Sequence, residues 1–108
     1  MPVYEKLVRD GIPNLIAAQG KDFSTRLLEP QEYITELRKK LKEESEEYFQ
    51  ATKDEEALEE LADMLEVIQA LAETHGSNCA ELEKLRAEKA SHRGGFKNGV
   101  FLIEVEGE

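Results

Sequence analysis

The chain has 108 residues, 40% of them apolar and 35% charged, with a formal net charge of −10. That length holds one domain, residues 1–108, because two separate cores would each be too small to offset their chain entropy. The charge excludes a nucleic-acid binder, which needs a positive footprint to displace counterions.

The same charge would repel a nucleotide polyphosphate unless metal ions and a local basic cluster reverse the field at one place. Any phosphate chemistry therefore requires both. Cys79 is the only cysteine, so no intrachain disulfide can form and a reducing compartment is expected. The opening residues Met1–Lys6 lack the apolar stretch of a signal peptide, and no segment has the length of a membrane span. The expected location is the cytoplasm, with no membrane partner.

In chain order, a short helix is expected from Gly11 or Ile12 to Gln19, with Pro13 in its first turn and Gly20 as its stop. Phe23–Leu28 alternates loosely and reads as a short strand ended by Pro30. From Gln31 to Ala51 the residues Ile34, Leu37, Leu41 and Tyr48 have helical spacing. Thr52-Lys53-Asp54 reads as a tight connection with Asp54 as the N-cap.

A second long helix is expected over 55–74, with Leu58, Leu61, Leu65, Ile68 and Ala72 on one stripe and Gly76 closing it. Ser77 or Asn78 can cap a further helix to Ser91, with Leu82 and Leu85 inward. Arg93–Gly99 is a glycine-rich turn, and Val100–Val105 is β-like, with 23–28 as its candidate partner. The expected fold is all-α, a helical hairpin with flanking helices that forms a bundle on oligomerisation, with at most a minor β-pair.

Certain acids fall on the wrong face for solvation. A helix turns about 100° per residue. With Leu37 at zero, Leu41 lies near ~40° and Tyr48 near ~20°, while Glu44 falls near ~340° and Glu47 near ~280°. With Leu61 at zero, Met64, Leu71 and Val67 extend the arc to ~300°, ~280° and ~240°; Glu60 falls near ~260° and Asp63 near ~200°.

A buried carboxylate without a partner is costly. Two i,i+3 pairs on consecutive helices, Glu44/Glu47 and Glu60/Asp63, can converge in an antiparallel hairpin, where their repulsion calls for a divalent cation. Oxygen-only ligation selects Mg²⁺ or Mn²⁺ over Zn²⁺. The alternative is a solvated acidic face, which is the natural reading of Glu36, Glu55, Glu56, Glu59, Glu73, Glu81 and Glu83.

Glu43-Glu44-Ser45-Glu46-Glu47 followed by Glu60-Leu61-Ala62-Asp63 resembles the paired EExxE and ExxD motifs of the MazG-type all-α nucleotide pyrophosphohydrolases. Leu7-Val8-Arg9-Asp10 before Ile12-Pro13, and Arg93-Gly94-Gly95-Phe96 before Phe101-Leu102, resemble a small single-domain branch related to phosphoribosyl-ATP pyrophosphohydrolase. The likeness covers nearly the whole chain and departs from that branch at Gly11, where Lys is expected. It implies Mg²⁺ on Glu44, Glu47, Glu60 and Asp63, with Glu43 assisting either by supporting those ligands or as a base. It also implies attack of water on phosphorus, giving a nucleoside monophosphate and pyrophosphate.

Lys84, Arg86, Lys89, Arg93 and Lys97 concentrate positive charge in fourteen residues. Lys89 and Arg93 share a helix face just before Gly94-Gly95, where cations and backbone N–H groups can meet a phosphate. Basic residues there can equally complement a helix dipole. Arg9 and Asp10 can reach the same phosphates, or form a structural ion pair and helix cap. His75 and His92 read as surface residues and Cys79 as a small packing residue. Two readings differ in class: a Mg²⁺-dependent hydrolase of nucleoside triphosphates or phosphoribosyl-ATP, and an acidic helical interaction module. Broad apolar arcs on both long helices predict a homodimer or higher even-numbered assembly.

Overall fold

Residues 2–107 are described in the structure, a computed structural model. Four helices follow one another: α1 (Ile12–Ala18), α2 (Pro30–Gln50), α3 (Asp54–Thr74) and α4 (Cys79–Arg93). No strand occurs among the described residues, and the fold is all-α. No helix is long and apolar enough to cross a membrane.

Local chemistry sets most helix ends. Pro30 opens α2, where its missing N–H costs nothing. The Glu32 carboxylate accepts the Glu29 N–H at 3.4 Å and both Arg26 guanidinium nitrogens at 3.1 and 2.8 Å. Asp54 is not the N-cap of α3 but its first residue, after a Lys53 cap that offers no side-chain bond. Asp54, Glu55 and Glu56 thus complement the positive end of α3 as charges.

At the other end, Gly76 takes a positive φ of 78°. Its N–H donates to the Glu73 carbonyl at 3.0 Å, and the Ser77 N–H donates to that of Ala72 at 3.0 Å. This crossed pair closes the helix as a Schellman motif, for which glycine is the natural residue. The chain then re-enters helix at once, because the Asn78 side chain accepts the Glu81 N–H at 2.9 Å.

Only residues 51–53 separate α2 from α3, which forces an antiparallel hairpin. The two long helices make most of the interhelical contact, α4 packs more lightly on α3, and α1 packs on none of the others. Leu37 at 5% exposure and Ala72 at 8% are the buried apolar residues among those described. Tyr33, Ile34, Leu41 and Tyr48 of α2, with Met64, Val67, Ile68 and Leu71 of α3, are half-buried around them.

Several expectations need correction. Leu58, Leu61 and Leu65 do not face α2; they are exposed, at 66%, 41% and 59%. α3 is apolar over a wide arc, and the edge nearest Met64, Val67 and Leu71 takes the contact instead. Leu82 is half-buried as expected, whereas Leu85 is exposed. The β-pair does not form: neither 23–28 nor 100–105 makes a backbone hydrogen bond among the described residues, and Phe101 is 88% exposed. Cys79 is exposed at the start of α4 and packs against nothing that buries it.

Leu37 is the one large apolar side chain counted as buried among the described residues, at 5% exposure. Leu37→Ala is expected to cost about 2–5 kcal/mol, read as a lower urea midpoint in equilibrium denaturation.

Candidate metal centre

The hairpin brings its acids together near the turn. Glu44 and Glu47 lie one turn apart on α2, and Glu60 meets them from α3. One carboxylate oxygen from each lies within 4.8 Å of the other two. Glu44 and Glu60 are half-buried and Glu47 is exposed. The Oε2 atoms of Glu44 and Glu60 are cut off from solvent and have no hydrogen-bond partner.

The electrostatics follow from that placement. The Glu60 carboxyl is pushed up to about 7. Hydrogen bonding with Glu44 is the main cause, then with Glu47, followed by burial and the charges of the same neighbours. Loss of water raises the Glu44 carboxyl; the hydrogen bond with Glu60 offsets this in part, and the charges of Glu47 and Asp63 push it up again. Like charges brought this close disfavour full ionisation of both Glu44 and Glu60.

Three oxygen ligands, no nitrogen or sulfur, and two oxygens without partners fit Mg²⁺ or Mn²⁺. A groove beside them is lined by Glu47, Gln50, Ala51, Glu56, Glu59 and Glu60. Sequence reasoning assigned Glu56 and Glu59 to a solvated face. They are exposed, but each lies one turn before an acid of the proposed set, and that i,i+4 spacing was the available signal.

Asp63 is not brought into the three-oxygen group. Its Oδ1 accepts from Arg9 Nη2 at 2.6 Å. Arg9 is in an ion pair, but with Asp63 rather than with Asp10, and α1 has no side-chain cap. Glu43 is exposed and outside the group. Lys89 and Arg93 lie at the exposed end of α4 and form no ion pair among the described residues. Gly94 has φ 80°, and its N–H is taken by the Ala90 carbonyl at 2.8 Å, which leaves Gly95 to offer a free amide. Arg86 is held by Glu83, as expected of a structural residue.

Compared with protein-family models, curated proteins and solved structures, the chain matches none.

The raised Glu60 carboxyl has a signed consequence. The folded protein holds a proton that the unfolded chain releases near its ordinary value of 4.5, so stability is present below that pH and is lost as pH rises through about 7. The depressed carboxyls of Glu32 and Glu83, held by Arg26 and Arg86, act below 4.5 and outside this window. In chelator, the melting temperature should fall between pH 5 and pH 8. Glu60→Gln should flatten the profile; an equally steep fall in that variant would refute the assignment.

Proposed function

We propose that the protein is a Mg²⁺-dependent nucleotide pyrophosphohydrolase, with Mn²⁺ able to substitute, that releases pyrophosphate from a nucleoside triphosphate. The observation that carries this reading is the meeting of Glu44, Glu47 and Glu60 between α2 and α3, with two carboxylate oxygens unpartnered. The resemblance of the Glu43–Glu47 and Glu60–Asp63 segments to the MazG-type motifs points the same way.

Glu44, Glu47 and Glu60 would hold the cation, with Asp63 as the fourth ligand once released from Arg9. When bound, the cation neutralises polyphosphate charge and acidifies a water. Among the chain's own residues, Glu43 is assigned the water's proton, as the resemblance implies. Lys89 and Arg93 are assigned the pyrophosphate portion, because neither is neutralised by an acid of its own chain.

A screen of pyrophosphate release over NTPs, dNTPs and phosphoribosyl-ATP, with and without Mg²⁺, tests the reading. At least one substrate should be cleaved only with the divalent ion, and Glu60→Gln should remove most activity while remaining folded. Lys89→Ala and Arg93→Ala should each lower kcat/KM roughly ten- to a hundredfold, as loss of a charge-assisted phosphate contact does. No cleavage of any substrate, with no melting shift in millimolar Mg²⁺ or Mn²⁺, would favour the acidic interaction module instead.

The working form is assigned as a homodimer or higher even-numbered assembly of paired hairpins. One chain exposes 9924 Å², against roughly 6,100 Å² for a compact monomer of its mass. Its radius of gyration is 18.6 Å, against about 13 Å for a compact domain of this length. Leu58, Leu61 and Leu65 form the uncovered stripe that a second hairpin would cover. Light scattering at micromolar concentration should give an even multiple of the chain mass, and a stable monomer would contradict the assignment.

A further inference from the structure

We propose that Arg9 is a resident counter-cation for Asp63 which a divalent cation displaces, so that loading the acidic site releases the N-terminal segment from the hairpin. The inference rests on the metal reading of Glu44, Glu47 and Glu60, and adds to it a competition that the ion pair builds into the chain.

Three observations carry it. Asp63 lies one turn beyond Glu60 on α3. It belongs to the neighbourhood of the site, yet its Oδ1 is held at 2.6 Å by Arg9 and stands outside the three-oxygen group. Second, the pair is open to solvent, with side chains 58% and 40% exposed. Exposed ion pairs are weak, whereas a divalent cation among several carboxylates gains from all of them together, so the exchange runs toward the metal.

Third, Arg9 to Asp63 is the one side-chain hydrogen bond between residues 2–20 and the rest of the described chain. α1 packs on no other helix. Leu7, Val8, Ile12 and Ile16 are only half-buried. The segment is held by this clasp and by partial apolar burial alone, so what happens at Asp63 is transmitted to it.

The test is calorimetric titration of Mn²⁺ into nucleotide-free protein, as a double-mutant cycle, together with hydrogen exchange of residues 2–20. Arg9→Ala should bind Mn²⁺ roughly two- to fivefold more tightly, the worth of an exposed ion pair no longer to be broken. Arg9→Lys should return toward the wild-type value, and in an Asp63→Asn background Arg9→Ala should change nothing. Saturating Mn²⁺ should raise exchange across residues 2–20 in the wild type to the level of metal-free Arg9→Ala, and add nothing further in that variant. Unchanged or weaker binding in Arg9→Ala, or exchange in 2–20 indifferent to Mn²⁺, would overturn the clasp while leaving the metal site standing. A wild type that binds no Mn²⁺ would overturn both.

Discussion

Two carboxyl groups of like charge face each other across the seam on which the whole fold is built. Glu44 and Glu60 occupy positions that the helical repeat gives to apolar residues, and the α2–α3 hairpin closes over them. The offsetting apolar contact is small, with Leu37 and Ala72 its only buried members among the described residues, and neither fully so. It also lies at the other end of the hairpin, away from the turn. The result is a polarised element, held by apolar contact at its open end and strained by repulsion near residues 51–53. The two acids therefore favour any partner that lowers their mutual repulsion.

The surrounding charge follows the same logic. A chain of net charge −10 attracts cations everywhere and gathers its own in two places, Arg38–Lys42 of α2 and α4 with the turn after it. α4 leaves α3 through a Schellman closure and an Asn78 cap with no linker between them, so its direction is set by backbone hydrogen bonds rather than by a broad packed face. Arg9 supplies the one basic side chain that reaches the acidic end of the hairpin from a distant part of the sequence.

The helices were legible because their signals are local. Pro30, Asn78 and Gly76 mark ends through bonds formed within a few residues, and the facing of Glu44 and Glu60 follows from counting 100° per position. What was not legible depends on partners. Leu58, Leu61 and Leu65 announce an apolar stripe, but a stripe does not say which surface covers it, and here α2 takes the adjacent one. Phe23–Leu28 and Val100–Val105 have strand composition, yet a strand exists only when its N–H and C=O groups meet another strand's. The Arg9–Asp63 pair joins residues 54 apart, and no local rule reaches that far.

The unpaired segment Val100-Phe101-Leu102-Ile103 has a colloidal consequence. A short run of β-branched and aromatic residues with open backbone groups is the pattern that nucleates cross-β stacking between molecules. Lys97, Glu104 and Glu106 flank it as gatekeepers, and the mutual repulsion of chains carrying ten excess negative charges keeps such runs apart. That protection is electrostatic and therefore conditional. It weakens as salt shortens the Debye length, and it vanishes as the medium approaches the isoelectric point of about 4.7. Acid conditions that protonate the seam and stabilise each hairpin are thus the conditions under which separate molecules lose their reason to stay apart.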